Sequence, residues 1–135
     1  ADAGFRWGVD PFLLKAIATV ESNLNPNAKN LADPSYGLMQ VLCLTDAGAL
    51  DQKCQNKFFI DGWEMATPAL LFNPDFNVRM AAQILKWNVD TYGKLQGIAV
   101  YNRWASRNDN PEGPFGNQVY VDKVLAAFRN IGGTL

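Results

Sequence analysis

Apolar residues recur along this chain at helical spacing, three or four positions apart, in several separate stretches. The first is PFLLKAIATVES, residues 11–22. Asp10-Pro11 opens it as an N-cap followed by proline at the first helical position, where the missing N–H costs nothing. Asn25-Pro26 closes it, because the residue before a proline avoids the α region. Asn73-Pro74-Asp75 repeats the same opening. It starts a helix with Val78, Ala81, Ala82, Leu85 and Val89 on one stripe, ending near Gly93. GIAVYNRW, residues 97–104, reads as a short apolar helix. VYVDKVLAAFRNI, residues 119–131, is the last, with Val121, Val124, Leu125 and Phe128 as core face and Gly132 as the C′ residue.

Between these stretches the pattern is weaker. Residues 23–36 are rich in Asn and Pro and read as a loop. GLMQVL, residues 37–42, reads as a further helical turn or two, and TDAGAL, residues 45–50, as another short helix. Residues 51–68 look irregular, and a short hairpin fits within 43–62. NDNPEGPFGN, residues 108–117, is a turn-rich loop. It faintly echoes a calcium loop, but the closing position holds Val119 rather than a bidentate glutamate, so no metal site is assigned. The expected fold is mainly α, with at most a short β-hairpin. No repeat or linker interrupts it, so residues 1–135 read as one domain.

Composition narrows the function. Of 135 residues, 48% are hydrophobic and 19% charged, as a packed globule requires. The net charge of −1 leaves no basic excess for nucleic acid or an anionic membrane, and no apolar run is long enough to span a bilayer. The stretch from Ala1 has neither Met nor signal-peptide features and reads as a mature form or an excised domain. Histidine is absent, which removes serine–histidine and cysteine–histidine catalysis in their common forms. Two cysteines alone cannot close a zinc tetrahedron. Acid–base work falls to carboxylates, among them only three glutamates. No cofactor is called for. Cys43 and Cys54 flank a short polar stretch. They read either as two thiols, Cys43 within an apolar run, or as a disulfide in an exported protein, where closing so short a loop contributes roughly 2–3 kcal/mol.

One carboxylate stands out. In the first helix Leu14, Ile17, Ala18 and Glu21 sit at i, i+3, i+4 and i+7, so Glu21 lies on the core-facing stripe. It also occupies the last turn, where the negative end of the helix dipole disfavours an anion. Both effects raise its pKa, and a carboxyl still protonated near neutral pH is a general acid. Spacing alone favours the plainer reading, a glutamate at a frayed helix end, reaching solvent or Lys29.

The surrounding motifs bear on that choice. ES-x-x-N-P at Glu21–Pro26 is followed by GLMQ at 37–40, Thr45, Asn73-Pro74 with Asn77, Tyr101-Asn102 and a closing Y-V-x-x-V-L from Tyr120. In this order they resemble the lytic transglycosylase domain of the soluble lytic transglycosylase family, a relative of the goose-type lysozymes. The resemblance implies an α-rich lysozyme-like fold that cuts the β-1,4 bond between N-acetylmuramic acid and N-acetylglucosamine in peptidoglycan. It implies Glu21 as the sole catalytic carboxylate, acting as acid and then as base, with a 1,6-anhydro product. One carboxylate then suffices where ordinary glycosidases need two. The resemblance places Met39 and Gln40 on the cleft lining, Tyr101 and Asn102 beside the acid, and the Tyr120 hydroxyl at its carboxylate. Gly37 reads either as allowing close backbone approach beside the cleft or as a plain turn glycine, and Ser22 caps or braces locally.

The chain departs from the family pattern in places. Asn30 stands where the family often has a serine near the N-acetyl group. Tyr36 replaces a small residue before GLMQ, as a sugar-stacking wall or a partial block of the groove. Arg103 and Trp104 replace small residues after Asn102. Of the four tryptophans, Trp63 and Trp104 lie in irregular stretches and are the better groove candidates, whereas Trp7 and Trp87 read as core. A muramidase that admits water would want a second acid, for which Asp33 is nearest in sequence. A non-catalytic glycan-binding module of a phage tail or secretion system is the reading outside enzymes. The expected setting is periplasmic, extracellular or on a phage virion, as a monomer or part of a larger protein, with peptidoglycan strands as partner.

Overall fold

The computed structural model describes residues 2–132. Its helices are α1 (Asp2–Trp7), α2 (Pro11–Ser22), α3 (Pro68–Leu71), α4 (Pro74–Tyr92), α5 (Lys94–Asn102) and α6 (Gln118–Asn130). Three two-residue strands, β1 (Lys29–Asn30), β2 (Ser35–Tyr36) and β3 (Val41–Leu42), form an antiparallel sheet in that order. Lys29 pairs with Tyr36, and Tyr36 with Val41. The fold is mainly α, as the periodicity indicates.

The caps act as their residue types dictate. The Asp10 carboxylate accepts from the Phe12 N–H at 2.8 Å, and the Asn73 side chain accepts from the Phe76 N–H at 3.1 Å. Pro11 and Pro74 occupy the first helical position in each case. Thr67-Pro68 uses the same device to open α3, which periodicity missed because the helix is so short. Asn23 ends α2 in the left-handed conformation at φ 53°, which asparagine tolerates.

The core lies between α2, α4, α5 and α6. Ala16 and Ile17 of α2, Met80, Ala81, Ala82 and Leu85 of α4, Ile98 and Ala99 of α5, and Val121, Val124 and Phe128 of α6 are fully buried. Helix α2 packs on α6, and α4 on α5.

Four expectations need correction. GLMQVL is not helical: Gly37 (φ 81°) and Gln40 (φ 49°) are left-handed, and the stretch is a tight turn running into β3. TDAGAL is irregular, because Ala47 and Gly48 also take positive φ. The strands fall within 29–42 rather than 43–62. Finally, α5 stops at Asn102 instead of continuing to Trp104. Cys43 and Cys54 are joined in a disulfide that closes the irregular segment beyond β3.

Candidate active site

Glu21 sits in the last turn of α2, on the flank of the stripe that buries Leu14, Ile17 and Ala18. Because α2 packs on α6, the first turn of α6 brings Tyr120 opposite it. The Tyr120 hydroxyl donates to Glu21 Oε2 at 3.0 Å, across 99 residues of sequence. Burial is the main force on the carboxyl. It lifts the pKa from an ordinary 4.5 to about 7, with a smaller push from the charge of Asp33. Hydrogen bonds from Tyr120 and Asn102 work in the opposite direction and only partly offset it. Burial, and then the nearby Glu21 charge, push the Tyr101 and Tyr120 hydroxyls well above their ordinary values.

Asn102 ends α5, and its orientation is set from behind. The Asn117 Nδ2 donates to Asn102 Oδ1 at 2.9 Å and to the Ala99 carbonyl at 2.9 Å. With its oxygen occupied, Asn102 turns its amide N–H toward the Glu21 carboxylate.

The GLMQ turn is held by the other motif residues. Ser22 Oγ bonds the Leu38 carbonyl at 2.7 Å and the Ala18 carbonyl at 3.0 Å. The fully buried Asn77 side chain takes the Met39 N–H at 2.8 Å and donates to the carbonyls of Tyr36 (2.8 Å) and Leu71 (2.9 Å). The Tyr101 hydroxyl donates to the Met39 carbonyl at 2.7 Å. Gln40 Nε2 donates to the carbonyls of Gly37 and Ala28 at 2.9 and 3.1 Å. Gly37 is obligatory here: a Cβ would overlap the Leu71 carbonyl and the Asn77 amide, at a φ that L side chains rarely adopt.

Glu21 opens into a cleft of about 810 Å³. Asn30, Asp33 and Gln40 line the side formed by the sheet, and Tyr101, Asn102, Arg103 and Trp104 the side formed by α5 and its exit. Among residues that the sequence singles out, Asn30, Asp33, Gln40, Tyr101, Asn102 and Trp104 therefore meet Glu21 in one cavity. Three do not. Tyr36 is 1% exposed and packs edge-to-face on Phe72 at 5.7 Å, so it is core and not a sugar-stacking wall. Strand alternation turns its side chain away from the cleft while Ser35 faces it. Met39 is fully buried and fills core behind the turn. Trp63 is buried against Phe58, with its indole N–H donating to the Asn56 carbonyl at 3.0 Å.

The cleft also takes in residues that sequence reasoning missed. Trp87 reads as core but is half-exposed on its wall. Phe58, Phe59 and Ile60 form an apolar rim beyond the disulfide, where Phe59 is almost wholly exposed. Asn88 is 4% exposed and still reaches the cavity. A signal for Asn88 exists: with Ala81 and Leu85 it makes an i, i+4, i+7 set on a helix face otherwise apolar.

Among the described residues, no group of three or more Asp, Glu or Cys side chains is placed to hold a metal ion, and no helix is long and apolar enough to cross a membrane. The arrangement offers one carboxyl that titrates near neutral pH, a phenolic donor on it, and a cleft with amide and aromatic walls, a set able to exchange a proton with a bound ligand. The sequence matches the family model described as Transglycosylase SLT domain over residues 1–118. The chain therefore belongs to the transglycosylase SLT domain family, as a mainly α, lysozyme-like domain with a lytic transglycosylase-type function on peptidoglycan.

Proposed function

We propose that this chain, as a single catalytic domain over residues 1–135, cleaves the β-1,4 bond between N-acetylmuramic acid and N-acetylglucosamine with Glu21 as its one acid–base group. The observation that carries this reading is a carboxyl with a pKa near 7, hydrogen-bonded by Tyr120, opening into the cleft. Protonated Glu21 donates its proton to the glycosidic oxygen as the bond to C1 breaks. The substrate's own acetamido group stabilises the positive charge left on the sugar. The ionised carboxylate, now accepting from Tyr120 and Asn102, takes the proton of the muramic C6 hydroxyl as that oxygen bonds to C1. The product is a 1,6-anhydro sugar, and Glu21 ends protonated. Asn30, Gln40 and Asn102 contact the sugars, while Ser22, Tyr36, Met39 and Tyr101 hold the turn beside them. The family and the disulfide favour work outside the cytoplasm, in the periplasm, extracellularly or on a virion, and we read the domain as a monomer or as part of a larger protein.

Asp33 supports a second reading. It shares the cavity and lies close enough to Glu21 to raise its pKa. A second carboxylate can activate a water, giving hydrolysis of the same bond. Mass spectrometry of digested cell wall separates the two, since the anhydro product is one water lighter. Products ending only in reducing muramic acid sink the transglycosylase reading. In either case Glu21→Gln abolishes lysis and keeps glycan binding. Lysis by that variant at the parent rate would leave a glycan-binding module with another origin for the turnover.

A further inference from the structure

Asn117 stands at the N-cap of α6, where an asparagine ordinarily turns its side-chain oxygen back to accept from an N–H of the first turn. Here it does not. Its side chain makes no cap hydrogen bond, and among the described residues nothing donates to the buried Asn117 Oδ1. The side chain reaches instead to the end of α5. There both hydrogens of its NH2 are used, on the Ala99 carbonyl and on Asn102 Oδ1, each at 2.9 Å. A forgone cap and an unmatched buried oxygen are both destabilising, and local choices of that kind collect where function needs a particular arrangement.

The order of partners fixes the direction of each bond. A carbonyl oxygen only accepts, so Ala99 makes the Asn117 NH2 face α5. Its second hydrogen then meets Asn102, which answers with its oxygen. Asn102 keeps its own NH2 for the cleft side, where it donates toward Glu21 and favours the charged carboxylate. Asn117 has a second hold on the site. Its backbone carbonyl accepts from the Tyr120 N–H at 2.9 Å, in the turn that carries the Tyr120 hydroxyl to Glu21. Thus one residue outside the cavity lining bonds both of the residues that donate to the carboxylate. Asp33, between β1 and β2, and Tyr101, from α5, also face Glu21, and Arg103 and Lys57 line the same cavity.

We propose that Asn117 is a positioning residue for proton transfer at Glu21: it commits Asn102 to donate rather than accept, so that the carboxylate left when the acid gives up its proton is met by two donors. This rests on the glycan-cleaving reading above and adds to it the residue behind the cleft that prepares Glu21 for its second role.

Asn117→Ser tests it. Serine caps a helix about as well as asparagine and carries no charge, but it is too short to reach Asn102. Release of soluble fragments from cell wall is followed against pH. In the variant the rate at saturating wall falls about tenfold, the loss expected for a hydrogen bond to a charged group. The alkaline limb moves up by roughly half a pH unit or more, because the carboxylate loses a donor. The melting temperature stays within about 3 °C of the parent, since the restored cap offsets the lost bonds. Asn102→Ala moves the limb by the same amount, and adding Asn117→Ser to it moves the limb no further. A limb that stays in place in Asn117→Ser, or shifts that add in the double variant, overturns the positioning role and leaves the glycan reading intact. The unsubstituted protein gives a second measurement: the side-chain amide resonances of Asn102 and Asn117 shift together as pH crosses about 7. An Asn102 amide that responds while Asn117 stays still, or no response from either, overturns the role whatever the variants do. A parent with no alkaline limb at all overturns Glu21 as the acid and the positioning role with it.

Discussion

Replacing Glu21 by glutamine changes stability as well as turnover, and the two effects separate by pH. In the folded protein the carboxyl holds its proton up to about pH 7, against 4.5 when solvated. Between those values the native state binds a proton that the unfolded chain has released. Stability therefore falls as pH rises through this window, and the loss is complete above pH 7. The gap corresponds to about 3 kcal/mol, roughly 10 °C in melting temperature for a domain of this size. Glutamine keeps the shape and an oxygen for the Tyr120 hydroxyl but has nothing to ionise. Urea unfolding of parent and variant at pH 4 and pH 8 measures the effect. The variant gains about 3 kcal/mol on the parent between the two pH values, whatever constant offset the substitution adds. The tyrosines beside Glu21 titrate far above this window and do not contribute. An offset identical at pH 4 and pH 8 refutes the reasoning, since Glu21 would then titrate as it does in the unfolded chain.

The groups facing Glu21 tune the same proton. Activity falls on the alkaline side near pH 7 as Glu21 ionises; Tyr120→Phe moves that limb up in pH by removing a donor to the carboxylate, and Asp33→Asn moves it down by removing a like charge. A limb unmoved by both variants in a pH–rate profile sinks the assignment of Glu21 as the titrating acid. Gly37→Ala costs about 3 kcal/mol or more in urea unfolding, because a Cβ there meets the Leu71 carbonyl and the Asn77 amide at positive φ; a loss under 1 kcal/mol would mean the turn yields easily.

The motif residues are legible in sequence but not for the reasons sequence suggests. Ser22, Asn77 and Tyr101 occur far apart along the chain and converge on one turn, each bonding its backbone. Their pattern marks a conformation that must be held, with Gly37 and Gln40 at positive φ. Tyr36 and Met39 belong to the same turn and face inward, which a linear reading mistakes for cleft lining. Trp87 went the other way: a tryptophan in a long amphipathic helix reads as core, but α4 shows this ring to the cavity left where α5 ends.

Sequence by itself determined the long helices α2, α4 and α6, the caps that start α2 and α4, and the carboxylate on the α2 stripe. All of these follow from interactions within a few residues: helical spacing, proline's fixed φ, and side chains that bond nearby N–H groups. It also carried the family, through the order of its motifs. Only the tertiary structure decided which side chains share the cleft, because that depends on how α2 meets α6 and α4 meets α5. The raised pKa of Glu21 shows the division. The helix wheel puts the carboxyl on a face that will be covered, but desolvation, Tyr120 from residue 120 and Asp33 from the loop after β1 set its value. Those terms exist only once the chain has folded water out of the space around it.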